Sequence, residues 1–560
     1  MIDVNYIKKK NIELFKTLER KDYLNVSSCQ NYIPIYNNFF SLNESNFNSI
    51  NLNHKWHISN LISKDSTSLY SCKLKNCLNQ KTKVKNVFFK MAPLLDPFKY
   101  LVGKYKIDDD LFNLPTLDNE NVHEKIKSTN NSAYIDGLFA YLNNILYSEY
   151  KVLNALEYYG SFLSIKEDFK LDVYDDLDYL HDSDFFKKQE NNLYSIDSYN
   201  HLFAKEEKLK PIKISNDSLK SNLSYESIEK LEFDNLFNDN DTNEELKEEL
   251  EEFCDSNLVL KSSISLKSSS TCSSRSSHTS NDSVSEYTSG SDDSNESSGS
   301  ESDSDDEILY ATIKRFPIQL IALEKCEKTL DDLIIDEEID DDEMIAFLMQ
   351  IIMTLIIFQK AFSFTHNDLH TNNIMFVNTD KKFLYYQFNN ITYKIPTFGK
   401  LFKIIDFGRG IFKLKGKIFC SDSFKPGEDA ATQYNTEPYF NDQKPRLEPN
   451  FSFDLCRLGC SIFDYMIEES DDINNLTSLS PLKKLIVEWC LDDNGINLLY
   501  KSNGSDRYPD FKLYKMIARY VHNHTPQKQL SKEIFKQFEF KIVNSISDLI
   551  NIDDLPSFIN

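Results

Sequence analysis

Between residues 171 and 306 the chain turns acidic and then serine-rich, as in Ser-Gly-Ser-Asp-Asp-Ser-Asn-Glu-Ser-Ser from Ser289 onward. Such a stretch has too little apolar surface to offset the entropy of ordering a chain, so it is expected to be disordered. The fold must then be assembled from its flanks, a first zone up to about residue 170 and a second from Ile308 onward. The tract has two compatible readings. One is a solvated spacer. The other is regulation: Ser291, Ser300, Ser302 and Ser304 stand among Asp and Glu, the context that acid-directed kinases read.

The flanks carry enough apolar residues for a sizeable core, since 40% of the 560 residues are hydrophobic and 13% aromatic. That length suits several domains or a two-lobed enzyme of roughly 250–350 residues with insertions. A net charge of −25 argues against nucleic acid and against anionic membranes as partners. The ten cysteines show no Cys-x-x-Cys pair and no zinc spacing; Cys456 and Cys460 read as buried free thiols, which fits a reducing, intracellular compartment. The N-terminus has no run of signal-peptide character. The most membrane-like stretch, Met344 to Phe358, falls short of the ~20 residues that span a bilayer, so a buried core helix in a soluble protein is expected.

Apolar periodicity sketches the elements. Trp56 to Leu74 reads as strands around a polar turn, and Val84 to Ala92 as a strand closed by Pro93. Tyr134 to Tyr159 is helix-rich, with Leu138, Tyr141, Leu142, Ile145 and Leu146 at three- and four-residue steps. Gly160 to Ile165 and Pro317 to Leu323 read as strands, and Glu343 to Phe362 as a long apolar helix. Strands first and helices second predict an α+β fold of two lobes.

Two motifs carry chemistry. After the apolar helix comes His366-Asn-Asp368-Leu-His-Thr-Asn-Asn373, then Lys403-Ile-Ile-Asp406-Phe-Gly408. Phosphoryl transfer needs a carboxylate to accept a hydroxyl proton and oxygen ligands for magnesium. Asp368 suits the first task, and Asn373 and Asp406 the second, with Gly408 allowing the turn that aims Asp406. His366 can brace the loop, and Ile374, Met375 and Phe376 begin a strand that anchors it.

This pair resembles the catalytic and magnesium loops of the eukaryotic-type protein kinase superfamily. The composition and the phrases Met-Ala-Pro-Leu-Leu-Asp-Pro and Ser-Phe-Asp-Leu-Cys-Arg-Leu resemble the serine/threonine-type kinases of giant DNA viruses such as mimiviruses. The resemblance covers most of 55–170 and 308–540. It implies a small β-rich lobe in 55–170 and 307–328 and a helical lobe in 329–545, with an extension at 1–54 and a tail at 546–560. It implies ATP and Mg2+ as cofactors and an unidentified protein substrate, with action in a host cytoplasm or packaging in a virion for a viral chain. Lys90 would contact the α- and β-phosphates, paired with a helix carboxylate, Glu149, for which Asp136 and Glu157 compete. Ile62 and Tyr70 would bracket the phosphate loop. The backbone of Glu324 and Cys326 would bind adenine with Leu323 behind it, and Asp454 would brace the catalytic loop.

The sequence also departs from that pattern. The stretch Ile62 to Tyr70 holds no glycine to bring amides close to phosphate. Asn367 replaces the usual Arg, which favours constitutive activity or regulation by other means, and His370 replaces a Lys, which leaves the hydroxyl type open. The resemblance also implies that the chain could phosphorylate the acidic tract itself. Thr436-Glu437-Pro438 loosely matches the end of an activation segment, with Arg507 as a partner for Glu437. The competing readings are a pseudokinase scaffold, a small-molecule kinase of aminoglycoside or choline type, and an acidic interaction protein. The long stretch from Gly408 to Phe451 favours a protein kinase over a small-molecule one.

Overall fold

The computed structural model describes residues 4–199 and 309–560, apart from Asn119 and short stretches at 337–338, 468–478, 502–503, 510, 542–545 and 547. It is a mixed α/β structure. The described residues up to Asp197 and from Leu309 form one compact unit.

An antiparallel sheet dominates the first zone. Its strands run in the order Val26–Gln30, Tyr158–Asp172, Tyr310–Glu324, Thr82–Pro93, Leu69–Asn76 and Trp56–Lys64, and Tyr194–Ile196 adds to Tyr310–Glu324. The two longest strands pair from Tyr158↔Leu323 to Asp172↔Tyr310. Positions 200–308, which hold the serine-rich tract expected to be disordered, lie outside the described residues. The expected boundary at 171 is too early. Phe169, Leu171 and Val173 are buried at two-residue steps, as a half-buried strand requires. Two short helices, Leu177–His181 and Asp184–Gln189, follow before Tyr194–Ile196.

Against this sheet lies the helix Ser132–Tyr150, buried almost continuously from Ala133 to Leu146. The Asn131 side chain accepts the Ala133 amide as its N-cap, and Lys151 ends it in the left-handed region at φ 59°. The second long helix, Asp341–Phe362, starts with the Asp340 carboxylate accepting the Glu343 amide at 2.8 Å and has three acidic residues in its first turn, which suit the helix dipole. By length and composition it could cross a membrane, which corrects the shorter span expected from Met344 to Phe358. In the fold, 94% of its apolar window is buried in protein. Helices Phe453–Met466, Pro481–Trp489 and Lys512–Tyr520 also lie in the second zone.

Neither end is a loose appendage. Residues 1–54 supply a sheet strand, and the helix Ile12–Leu18 bonds strand Trp56–Lys64 through Thr17 Oγ1 and Asn60 at 3.0 Å. In the tail, Leu549–Asn551 pairs parallel with Phe383–Phe388, and buried Phe558 sits 5.4 Å from Phe362 and 5.7 Å from Tyr150. Cys456 and Cys460 are buried free thiols, as expected.

Three buried histidines make the fold acid-sensitive. Burial lowers His54 to about 4 and His370 to about 4, and burial together with the charges of His54 and Lys9 lowers His57 to about 2. An unfolded chain protonates these rings near 6.5, so between there and pH 4 the unfolded state binds more protons and stability falls with pH. Each ring costs the fold about 1.4 kcal/mol per pH unit in that window. Thermal melts at pH 7 and pH 5 should show a steep loss that His57→Gln flattens; equal slopes would contradict this assignment.

Candidate active site

The loop His366–Asn373 follows the long helix Asp341–Phe362 and is pinned from below. Asp454, fully buried in the helix Phe453–Met466, accepts the His366 amide at 3.0 Å and the Asn367 amide at 2.9 Å. His366 Nε2 lies 2.9 Å from the Ile405 carbonyl, tying this loop to the one that carries Asp406. Asn367, at φ 64°, donates to the Thr365 and Arg409 carbonyls and accepts the Tyr434 hydroxyl. Its side chain is thus consumed in holding the loop's shape.

Asn373 donates to the Asp368 carbonyl at 2.8 Å and lies 3.0 Å from His370 Nε2, which leaves its amide oxygen for another partner. The Ile405 amide donates to the Asn373 carbonyl at 3.0 Å, so Asp406 emerges beside Asn373. Asp406 has a left-handed backbone at φ 58° and accepts the Gly408 amide at 3.3 Å. Phe407 anchors the turn, its ring 4.8 Å from Phe139 of the sheet-packed helix.

Lys90 joins the two zones. Its Nζ lies 2.7 Å from Asp136 Oδ2 and 2.9 Å from Asp406 Oδ1, while Asp136 Oδ1 accepts the Phe407 amide at 2.9 Å. Burial opposes the ammonium, but the Asp136 and then the Asp406 carboxylates outweigh it and raise Lys90 above its ordinary value. Burial likewise pushes Asp406 up, and Lys90 overcomes it and holds the carboxylate ionised. Glu149 is not the partner expected for Lys90: it is exposed near the end of the helix, whereas Asp136, one turn inside its start, faces the sheet.

Asp368 accepts the Tyr514 hydroxyl at 2.7 Å and lies 3.7 Å from Arg409 Nη1. Burial would raise its carboxyl, but the Arg409 guanidinium, with Arg457 and the Tyr514 hydroxyl, holds it well below the usual carboxylate range. Arg409 itself bonds Asp429 at 2.6 Å. A cavity of about 110 Å³ opens here, bounded by Asp368, Asp406, Arg409, Leu95, Asp96 and Glu428. It is smaller than the ~300–1,000 Å³ of ordinary small-molecule sites.

The remaining expected contacts divide. The register Leu69↔Phe88 and Tyr70↔Val87 puts Leu69 on the Lys90 face and Tyr70 on the opposite one. Tyr70 is fully buried there against Phe89, so it does not share a face with Lys90, contrary to the expected role beside it. Ile62 stays exposed beside the turn. In that turn the Asp65 and Ser66 amides both donate to the Leu69 carbonyl. Glu324 spends its amide on the Glu157 carbonyl at 3.0 Å, and its side chain turns inward to Lys403 at 2.8 Å. Cys326 is half-buried, its thiol pushed up by burial. Glu437 pairs with Arg446 at 2.6 Å, in place of the expected Arg507.

Sequence reasoning missed Arg409, Tyr514 and Lys403. Arg409 directly follows Asp406-Phe-Gly408 and was findable there. Tyr514 and Lys403 reach their partners only through packing. Among the described residues no group of three or more His, Cys, Asp or Glu could hold a metal. Asp406 and Asn373 are neighbouring oxygen donors that could meet one. Mg2+ keeps several waters and binds through one or two carboxylates plus phosphates, so this pair fits it.

No protein-family model matches the chain. A curated relative, "Uncharacterized protein 098R" of Invertebrate iridescent virus 6, is 26% identical over 212 residues, which is 37% of this chain and 32% of that protein. The chain thus spans about a third of the length of the relative it matches.

Proposed function

We propose that the chain is an ATP- and Mg2+-dependent protein kinase of the serine/threonine type, built on a two-lobed kinase fold. The observation that carries this reading is the convergence of Lys90, Asp136 and Asp406 beside the loop that holds Asp368 and Asn373. The antiparallel sheet, the helix packed across it and the helical second zone suit the two lobes.

Each group has a task in that chemistry. Lys90 neutralises the α- and β-phosphates, and Asp136 fixes its position. Asp368 orients the acceptor hydroxyl and takes its proton, with Tyr514 and Arg409 fixing the carboxylate. Asp406 and Asn373 would hold Mg2+, which supplies charge neutralisation to the phosphates when bound. The segment from Gly408 to Phe451, with its hairpin Ile411–Leu414 and Lys417–Cys420, supports a protein acceptor over a small molecule. The viral relative supports a viral source, and with it action in host cytoplasm or in a particle.

One observation favours a second reading, a scaffold that keeps the kinase fold without turnover: the turn amides of Asp65 and Ser66 are spent internally and do not face a phosphate. Incubating the full chain with γ-labelled ATP, Mg2+ and a mixed protein acceptor separates the two. Label on protein hydroxyls is expected, falling about 10²–10³-fold in Lys90→Met and by less in Asp136→Asn. Wild-type label no higher than that of Lys90→Met would sink the kinase reading.

A further inference from the structure

The segment that follows Asp406 does not stop at closing the site. It returns to the start of the helix that carries Asp136. Asp422 is buried, its Oδ1 accepts the Ser132 amide at 2.9 Å, and its Oδ2 bonds Lys125 Nζ at 2.9 Å. Its own amide donates to the Asn130 carbonyl at 2.7 Å. Next to it Glu428 bonds Lys99 at 2.8 Å and Lys125 at 3.3 Å, and Lys99 also donates to the Gly427 carbonyl at 3.0 Å. Ser132 is the first residue of the helix, so a carboxylate there meets both an otherwise unpaired amide and the positive end of the helix dipole. Asp136 lies one turn further along, bonded to Lys90.

We propose that Asp422 is a positioning residue for phosphoryl transfer: it fixes the start of helix Ser132–Tyr150 and so the pairing of Asp136 with Lys90. The inference rests on the kinase reading. In it, a carboxylate of the chain itself, charge-paired with Lys125, ties the post-Asp406 segment to the helix, and no added phosphate is required to align the site. That role suits Asn367, whose neutral side chain is wholly taken up by the loop and offers no cation to a phosphate.

A mutant cycle in the full chain tests this. Asp422→Ala should raise KM for ATP and lower kcat, together about 10–100-fold, the size of effect that a small misplacement of reacting groups produces. Lys125→Met, which removes the partner of the other Asp422 oxygen, should act in the same direction. In an Asp136→Ala background, Asp422→Ala should add little, because both act through one contact. Melting curves establish that each variant is folded, and Lys125→Met serves where Asp422→Ala is not. Wild-type kinetics in a folded Asp422→Ala, or the same fold-loss in both backgrounds, would overturn the positioning role alone. Absence of transfer by the wild-type chain would overturn the kinase reading and this role with it.

Discussion

Asp368→Asn is expected to lower the rate of ATP-dependent transfer about 10³-fold while leaving the chain folded. The amide is the same size as the carboxylate and still accepts the Tyr514 hydroxyl, which donates at 2.7 Å in the native site. It cannot accept the acceptor's proton, and it no longer attracts Arg409, whose Nη1 lies 3.7 Å away. Alanine would strand two buried donors and confound rate with stability. Asp406→Ala should be equally inactive for a different reason, since it removes the carboxylate beside Asn373 and one of the two partners of Lys90. Because the Arg409 charge keeps Asp368 well below the usual carboxylate range, Asp368 should stay ionised through mildly acidic buffers, and an acid limb of any transfer near pH 4–5 would point to another group. Initial rates with labelled ATP on matched, folded preparations decide the matter. A variant Asp368→Asn within tenfold of wild type would remove Asp368 from the chemistry.

The loops at His366 and Asp406 were legible because their chemistry is local: the residues that matter sit within a few positions of one another, and a turn or a strand end is enough to aim them. Lys90 was legible for a similar reason, standing at the end of an apolar strand that must face inward. Its partner was not. A helix rich in apolar residues on every side, as Ser132–Tyr150 is, does not reveal which carboxylate its packing turns toward the sheet, and Asp136 and Glu149 both had a claim until the helix start was fixed by Asp422. Tyr70 shows the cost of a single step in a strand, since side chains alternate and only Leu69 shares the face of Lys90. The early boundary at 171 has a compositional cause. Acidic residues on the solvent side of a strand lower its average hydrophobicity, although Phe169, Leu171 and Val173 kept the two-residue period. The roles of the chain ends lie in pairings across tens to hundreds of residues, which no local pattern records.

Lys403→Met is expected to destabilise the fold by about 3–5 kcal/mol, the cost of leaving a buried charge without its partner. Lys403 and Glu324 side chains are 2% and 7% exposed, and their Nζ and Oε1 lie 2.8 Å apart. Lys403 also donates to the Ala155 carbonyl at 2.8 Å, and the same Glu324 oxygen accepts the Glu157 amide at 2.8 Å. The pair thus ties the strand preceding Asp406 to the end of strand Tyr310–Glu324. Methionine fills the space of the lysine stem but leaves a carboxylate with one amide in a nearly dry site. The desolvation cost of that ion then goes unopposed. The double variant Lys403→Met/Glu324→Gln should recover most of the loss, because a neutral amide can still accept the Glu157 amide, and a buried pair contributes little net stability over a neutral replacement. Denaturant melts with unchanged slope measure both effects. A loss under about 1 kcal/mol for the single variant would mean that water reaches Glu324 once the lysine is gone. Failure of the double variant to recover would instead assign the stability to the Lys403 bond with the Ala155 carbonyl. In either case turnover per folded molecule should stay closer to wild type than for any change at Asp368, since neither side chain touches the carboxylates around the cavity.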